Sequence, residues 1–189
     1  MSASLQERDC TSIPCSTEEE ESRGGESRGR TSSPDRIKEV FTFKRRKSME
    51  KAVIVYGSVT GLTEEIACTL SKVIEDKYDT KVIDAMDAGP QDLQEADIIL
   101  LGSSTWGVGD LEVDMVPLND SLQDMDLKSK RAAVFGLGDS AYKKFCYAVI
   151  TLEKSLKSAG AQLIQKGYRC DKYFDDEAKS KLKEWATAL

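Results

Sequence analysis

The feature that most constrains the fold is an apolar run that leads, through a loop of hydroxyls and glycine, into an amphipathic helix. Residues 52–57 read Ala-Val-Ile-Val-Tyr-Gly, which is the pattern of a buried parallel strand. The helix pattern that follows places Ile66, Leu70 and Val73 on one face. A strand that feeds a helix in this way predicts one unit of an α/β sheet, with the intervening loop at the carboxyl edge of the sheet.

This loop has the chemistry of a phosphate cradle. N–H groups at a helix N-terminus are unpaired and carry about half a unit of positive charge, and Gly61 lets the backbone come close to a ligand. No Lys or Arg lies between Lys51 and Lys72, so dipoles alone would hold the anion, unlike in a Walker A loop. A Ser/Thr-rich helix cap without a ligand is the alternative. The predicted cradle, called the phosphate loop below, consists of Ser58, Val59, Thr60, Gly61, Leu62 and Thr63.

The composition of the chain changes at Met49. Residues 1–48 are rich in Ser, Glu, Arg and Gly, and they have too few large apolar side chains to offset the entropy of ordering. We therefore predict a disordered extension over residues 1–48 and one domain over residues 49–189. A misassigned start, with translation beginning at Met49, is one explanation of the extension. A real arm, whose basic run at residues 44–47 contacts an acidic partner, is the other.

Charge is unevenly distributed within the domain. Residues 49–189 contain seventeen basic and twenty-four acidic side chains, which argues against nucleic acid as the ligand. Residues 82–127 contain eleven acidic side chains and no Lys or Arg. Because the charge of this stretch has one sign, we favour a docking surface for a basic partner. An ordinary solvated surface is the alternative.

Residue usage excludes several classes of function. Histidine is absent, which removes Ser–His and Cys–His nucleophile pairs and His-based metal sites. The five cysteines form no Cys-x-x-Cys pair, so neither a zinc site nor a disulfide framework is predicted. No apolar run has membrane-spanning length and no secretory signal pattern is visible, so we expect a cytoplasmic protein that does not bind membranes.

Strand and helix patterns alternate through the domain. The expected strands cover residues 52–56, 81–84, 97–102, 132–137 and 162–167, and the expected helices cover 64–77, 115–123, 145–159 and 176–189. This order predicts a doubly wound, five-stranded parallel sheet with helices on both faces. Ligands of such sheets bind beyond the carboxyl ends of the strands.

Two further loops at these strand ends each combine one aromatic side chain with small or polar residues. The segment Ser103-Ser104-Thr105-Trp106-Gly107-Val108-Gly109-Asp110 follows the third strand. The segment Gly138-Asp139-Ser140-Ala141-Tyr142-Lys143-Lys144-Phe145-Cys146 follows the fourth. Together with the phosphate loop, they suit a planar ring with a phosphorylated polyol tail.

In these motifs, taken in order, residues 49–189 resemble the short-chain bacterial flavodoxins. The resemblance is carried by residues 53–61, 101–107 and 135–140, with Tyr142, Phe145 and Cys146. It implies a flavodoxin-like sheet of strand order 2-1-3-4-5 and an FMN cofactor. It also implies a low-potential one-electron carrier, acting as a monomer between redox proteins such as reductases and oxidoreductases.

The resemblance also implies roles for individual residues. The phosphate loop would bind the FMN phosphate, and Ser104 and Thr105 would lie along the ribityl chain. Trp106 and Tyr142 would cover the two faces of the isoalloxazine ring, although two core aromatics are the alternative. Backbone N–H groups around Leu137, at the end of the fourth strand, and around Asp139 and Cys146 in the loop after it would meet the pyrimidine edge. The remaining predicted contacts are Ser103, Gly107, Gly138 and Phe145.

Gly107 is the residue expected to respond to electron uptake. In the family, the carbonyl at this position turns toward flavin N5–H when one electron arrives. A turn with positive φ at its first central position needs Gly there, whereas Val108 can stay at negative φ in the second. The chain departs from the family pattern at four positions: Val59 and Leu62 replace polar residues, Val108 an acidic one and Lys144 an aromatic one.

Two other functions stay open on the sequence. A flavodoxin-like NAD(P)H-dependent quinone or nitro reductase would need a nicotinamide site, which the sequence does not show. A receiver-type signalling module would need acidic residues at the end of the first strand, where residues 58–61 read Ser-Val-Thr-Gly. Trp185, Cys146 and Cys170 are expected to be packing residues.

Overall fold

The computed structural model describes residues 49–189. The predicted extension, residues 1–48, lies outside the described residues. In chain order the elements are β1 (Glu50–Gly57), α1 (Leu62–Ile74), β2 (Tyr78–Asp84), α2 (Pro90–Glu95), β3 (Ile98–Trp106), β4 (Asp110–Leu111), α3 (Met115–Ser121), β5 (Arg131–Gly138), α4 (Tyr147–Ser158), β6 (Gln162–Leu163), β7 (Tyr168–Asp171) and α5 (Asp176–Ala186). A single 3₁₀ turn, Leu122–Asp124, extends α3.

The strands form one sheet in the order β2-β1-β3-β5-β6, and β7 also pairs with β5. These neighbours are all parallel, while β4 runs antiparallel to β3. The predicted order 2-1-3-4-5 is confirmed, because β5 and the β6–β7 segment are the fourth and fifth strands of the prediction. The order reverses between β1 and β3, which places the topological switch point there.

Side chains of the central strands alternate between two buried layers. On one face, Ile54 of β1 packs in a cluster with Leu70 of α1 and Leu182 of α5. On the other face, Val55 packs in a cluster with Leu93 of α2 and Leu152 of α4. Burial on both faces explains why these strands read as continuous apolar runs rather than as alternating patterns.

The third strand is longer than predicted. β3 continues to Trp106 and folds back into β4, with Thr105 opposite Leu111 and Trp106 opposite Asp110. The prediction that residues 103–106 form a loop is therefore wrong. Three of these four residues are Ser or Thr, so they continue no apolar strand pattern. Their partner, β4, is only two residues long and gives no strand pattern either.

The fifth strand is divided rather than continuous. Ala132 pairs with Leu163 and Phe135 with Tyr168, so β5 advances three residues while its partner advances five. The two extra residues form a bulge. Within it, Gly167 N donates a 2.7 Å hydrogen bond to a carboxylate oxygen of Glu153 on α4 instead of joining the ladder.

Helix α2 is absent from the sequence prediction. Its six residues begin at Pro90 and bury only Leu93, so they carry no periodic apolar signal. Gly89 N donates to Asp92 Oδ2 at 2.9 Å, which closes the first turn. In the described part of the chain, no helix combines the length and the apolar character needed to cross a bilayer.

Candidate functional site

The three predicted loops converge because β1, β3 and β5 are adjacent in the sheet. Gly57 lies opposite Ser103, and Ser104 lies opposite Leu137. The phosphate loop therefore lies beside the β3–β4 hairpin, and this hairpin lies beside the segment 138–146, here called the Tyr142 loop. The site lies at the switch point between β1 and β3, where open α/β sheets bind their ligands.

The phosphate loop is shaped by Gly61 and Ser58. Gly61 is the N-cap of α1, with φ +82° and no side chain to satisfy the first-turn N–H groups. A Cβ at Gly61 would meet no atom within 4 Å, so glycine is needed here for its left-handed backbone and not for space. Ser58 Oγ accepts a 3.1 Å hydrogen bond from Gly61 N, and its own O–H stays able to donate.

Thr63 gives the clearest sign of a ligand at this loop. Its side chain is fully buried, and among the described residues its Oγ1 has no hydrogen-bond partner. A buried hydroxyl without a partner costs about 1–3 kcal/mol, so native proteins rarely keep one. The hydroxyl lies in the first turn of α1 together with unpaired N–H groups, and this donor set fits a phosphate group.

Carboxylates near the loop have partly compensated charges. Glu64 and Glu65 lie in the first turn of α1, where they would oppose a bound anion. Glu65 is paired with Lys179 of α5 at 3.0 Å. Burial, followed by the charges of Glu64 and Asp84, raises the pKa of Tyr56 well above its ordinary value, so this phenol stays neutral.

The β3–β4 hairpin presents Trp106. The indole is 46% exposed, and its Nε1 donates a 2.8 Å hydrogen bond to Ser104 Oγ. Thr105 Oγ1 accepts from Ala148 N at the start of α4, at 3.2 Å. Ser103 Oγ is buried, donates to Ser104 O at 2.9 Å and accepts from Glu112 N at 3.1 Å. The Ser103 hydroxyl thus holds the hairpin together and is directed into the protein.

The turn of the hairpin has the geometry that the sequence predicts. Gly109 N donates to Trp106 O at 3.0 Å, which makes Gly107 and Val108 the two central residues. Gly107 has φ +52°, whereas Val108 is not among the residues with positive φ. The predicted assignment of Gly to the first position and Val to the second is confirmed. Val108 is 73% exposed at the tip of the turn.

Glu112 lies behind the hairpin and is absent from the sequence prediction. The side chain is 1% exposed, its Oε2 accepts from Asp114 N at 3.0 Å, and its Oε1 has no hydrogen-bond partner among the described residues. A Cβ at Gly57 would lie 2.6 Å from Oε2, so the carboxyl packs against the end of β1. Burial raises the pKa of Glu112, although the hydrogen bond from Asp114 N opposes this; the charges of Asp114 and Asp84 add to the rise.

The Tyr142 loop is fixed by hydrogen bonds at its base. Ser140 donates to both carboxylate oxygens of Asp171, from its N at 2.8 Å and from its Oγ at 2.6 Å. Asp139 O accepts from Tyr142 N at 3.1 Å, and Asp139 Oδ1 lies 3.2 Å from Lys172 Nζ. On this anchored loop the Tyr142 side chain is 67% exposed.

Cys146 ends the loop as the N-cap of α4, with φ +47°. Its thiol is buried, lies 3.4 Å from Cys170 O, and has a pKa raised to about 12 by burial, so it is a packing residue as predicted. A Cβ at Gly138 would lie 2.7 Å from Cys146 N, which brings the two backbones together. Phe145 is half-buried against the core, and Leu137 is paired with strands on both sides.

The exposure of Trp106 and Tyr142 shows that neither belongs to the core, so the core alternative for these two aromatics is wrong. Among the described residues, one pair of aromatic rings is in contact, Tyr168 and Trp185, with 5.9 Å between centroids, and it includes neither Trp106 nor Tyr142. Trp185 also donates from Nε1 to Lys166 O at 2.8 Å and packs against the core, which confirms its predicted packing role. The two exposed rings are therefore left available on neighbouring loops.

Comparisons with known proteins agree on one family. A family model described as flavodoxin matches residues 54–185. The flavodoxin of Maridesulfovibrio salexigens is 39% identical over 145 residues, which are 75% of this chain and 97% of that protein. The solved structure of oxidised flavodoxin 1 from Bacillus cereus is 36% identical, with a TM-score of 0.70 over 74% of this chain and 96% of that one. A Fusobacterium nucleatum flavodoxin bound to flavin mononucleotide has the same fold at 16% identity, with a TM-score of 0.62 over 74% of this chain and 96% of that one.

Proposed function

The chain belongs to the flavodoxin family, and we propose that the phosphate loop, the β3–β4 hairpin and the Tyr142 loop together hold its FMN. Flavodoxins are electron-transfer proteins, so the chain is an FMN-binding electron carrier and not an enzyme. The reductase alternative is not favoured. The single observation that carries the position of the site is the buried, unpartnered hydroxyl of Thr63, directly after β1.

The phosphate loop binds the FMN phosphate without a counter-charge from Lys or Arg within the loop. First-turn N–H groups and the hydroxyls of Ser58, Thr60 and Thr63 donate to a group whose charge is about −1.5 to −2 near neutral pH. Val59 and Leu62 contribute backbone donors only. FMN binding would also satisfy Thr63 Oγ1, which links affinity directly to the stability of the folded chain.

Trp106 and Tyr142 enclose the ring from two neighbouring loops. The hydrogen bond from Trp106 Nε1 to Ser104 Oγ fixes the orientation of the indole, and the contact between Ser140 and Asp171 anchors the loop that carries Tyr142. Stacking on each ring adds about 0.5–1.5 kcal/mol beyond the burial of area. Backbone around Gly138 and Asp139 meets the pyrimidine edge, while Gly107 supplies a turn whose first central residue can take positive φ.

Bound FMN supplies the one-electron chemistry, and the chain sets the exposure and the electrostatics of the cofactor. We further propose a docking surface for basic redox partners on residues 82–127. Its support is the charge of this stretch, which includes the exposed residues Asp87, Asp110, Asp120 and Asp124. The proposal places a monomer in the cytoplasm, which the reduced thiols of Cys146 and Cys170 fit.

Cofactor identity and electron transfer test the proposal together. The purified full chain should bind FMN with quenching of flavin fluorescence and should not bind FAD at the same site. The loaded protein should leave NADPH unoxidised by itself and should pass electrons from a flavoprotein reductase to an acceptor. A colourless protein that ignores added FMN, or direct NADPH oxidation, would contradict the proposal.

A further inference from the structure

The charge of the chain changes sign along the sequence between the β3–β4 hairpin and the Tyr142 loop. Residues 82–127, which form α2, β3, β4 and α3, contain eleven acidic side chains and no basic one. Residues 128–172, which form β5, the Tyr142 loop, α4, β6 and β7, contain ten basic side chains and three acidic ones. Trp106 therefore belongs to the acidic stretch of the sequence and Tyr142 to the basic stretch.

Four lysines and one tyrosine form the surface beside Tyr142 that we call the basic face. Two of the lysines directly follow Tyr142, and the other members lie on α4 at helical spacing. All four lysines are exposed, and none takes part in the six ion pairs found among residues 49–189. The basic face consists of Lys143, Lys144, Tyr147, Lys154 and Lys157.

The one acidic residue of α4 forms no ion pair with the lysines of this face among residues 49–189. Glu153 Oε1 instead accepts a 2.7 Å hydrogen bond from Gly167 N, in the bulge between β6 and β7. Burial of Val149 and Leu152 on the core side of α4 leaves the lysine-bearing side of the helix in solvent. The positive charge of the basic face is therefore a property of the folded surface and not only of the sequence.

Two of the lysines are held in place by one ring. Lys144 Nζ lies 5.0 Å and Lys154 Nζ lies 5.9 Å from the centre of the Tyr147 ring. The stem of Lys144 packs on buried Gly109, since a Cβ there would lie 2.7 Å from Lys144 Cδ. Cation–π contacts position the ammonium groups without cancelling their charge. The two lysine side chains therefore lose less conformational entropy when a partner docks on them.

We propose that the basic face is a second docking surface, for a redox protein whose own surface is acidic. Charge complementarity defines this partner, and the position of the face next to Tyr142 gives the contact its role in electron transfer. A partner seated there would touch the loop that covers one side of the flavin, whereas a basic partner docks on the Trp106 side. This inference rests on the proposed position of the flavin.

Stopped-flow oxidation by an acidic protein tests the proposal. The full chain is loaded with FMN, reduced with dithionite under anaerobic conditions, and mixed with oxidised plastocyanin, a copper protein with an acidic surface. At low ionic strength, Lys143→Glu/Lys154→Glu should lower the second-order rate constant at least tenfold, since electrostatic steering changes association rates by about 10–10³-fold. The difference should nearly disappear in 1 M salt, where the Debye length is about 3 Å.

A matched variant separates the basic face from net charge. Lys128→Glu/Lys130→Glu makes the same change in charge directly before β5, at the edge of the sheet opposite the flavin, and also removes the exposed ion pair between Lys128 and Asp126. We expect this variant to react with plastocyanin within about twofold of the unmodified chain. Cytochrome c, a basic haem protein, should react no more slowly with Lys154→Glu/Lys157→Glu, which lies outside the Tyr142 loop, than with the unmodified chain.

The outcomes distinguish this inference from the proposed function. Visible absorption first confirms that each protein retains FMN; an unmodified chain that binds no FMN would refute the flavin site itself. If FMN is bound and Lys143→Glu/Lys154→Glu reacts with plastocyanin within threefold of the unmodified chain, the basic face is not a docking surface. An equal loss in both double variants also overturns it. Lys154→Glu/Lys157→Glu, confined to α4, repeats the test if the first variant loses its flavin.

Discussion

Thr63→Val should change the stability of the apoprotein and the affinity for FMN in opposite directions. Valine keeps nearly the shape of threonine but lacks the hydroxyl. Thr63 is fully buried, and its Oγ1 has no hydrogen-bond partner among the described residues. Because an unsatisfied buried group costs about 1–3 kcal/mol, the apoprotein should gain about that much free energy of unfolding when the group is removed.

The affinity for FMN should fall in the same variant. A hydrogen bond to a charged group contributes about 1.5–3 kcal/mol, and 1.4 kcal/mol corresponds to a tenfold change in affinity. Loss of the proposed bond from Thr63 to the phosphate should therefore raise Kd by roughly 10- to 150-fold. Titration of FMN with apoprotein, followed by flavin fluorescence, measures Kd, and urea unfolding of the apoprotein measures stability.

Thr80→Val is the matched control. Thr80 Oγ1 lies 2.8 Å from Ser71 Oγ, in a half-buried pair between β2 and α1, so its hydroxyl already has a partner. Its removal should destabilise the apoprotein by about 1 kcal/mol and leave the Kd for FMN within about twofold. The reasoning is refuted if Thr63→Val destabilises the apoprotein as Thr80→Val does, or if it leaves the affinity for FMN unchanged.

Three further substitutions test the loops and the buried carboxyl. Thr60→Asp should weaken FMN binding severely in a fluorescence titration, because it places a carboxylate against the phosphate; unchanged affinity would mean that the phosphate loop is misassigned. Val108→Asp should make the midpoint potential for formation of the fully reduced flavin more negative by roughly 40 mV in an anaerobic redox titration. The reason is that one partly screened negative charge near the ring is worth on the order of 1 kcal/mol. Glu112→Gln should gain stability relative to the unmodified chain as the pH rises from about 4 toward neutrality in urea unfolding; parallel curves would contradict the account. The raised pKa of Glu112, above its ordinary 4.5, means that its stabilising contribution is present at low pH and lost as the carboxyl ionises.

The long elements of the fold could be predicted from the sequence because their burial leaves a strong pattern. β1 and β5 are buried on both faces and read as continuous apolar runs, and α1 shows one apolar face. Short elements left no such pattern. α2 buries one side chain and β4 has two residues, so their existence depends on tertiary contacts that no local window contains.

The candidate site was predictable as a set of loops but not as a set of side-chain directions. Ser103, Ser104 and Thr105 are three successive hydroxyl residues, and the sequence gives no reason to separate them. Pairing of β3 with β4 does so, because it brings Glu112 N to Ser103 Oγ and turns that hydroxyl inward. Glu112 itself was hidden among eleven acidic residues, since a buried carboxyl has no sequence signal apart from its neighbours.

Two buried oxygens near the proposed flavin site have no hydrogen-bond partner among the described residues: Thr63 Oγ1 and Glu112 Oε1. The two oxygens differ in what can remove the free-energy cost of burial without a hydrogen-bond partner. Thr63 lies in the first turn of α1, where a phosphate can accept its hydrogen bond, whereas Glu112 packs behind Gly57 and can be relieved by protonation.

The stability of the holoprotein should therefore contain one contribution that depends on FMN and another that depends on pH. Since the two groups share no hydrogen-bond partner, their effects should add within about 0.5 kcal/mol in Thr63→Val/Glu112→Gln. Urea unfolding with and without FMN, at pH 5 and pH 8, measures both contributions in one set of four proteins. The increase in the free energy of unfolding on addition of FMN should be the same with Glu or Gln at position 112. If it differs by more than about 0.5 kcal/mol, the two oxygens are coupled, and additivity is refuted. The phosphate loop and the hairpin would then respond to the ligand as one unit.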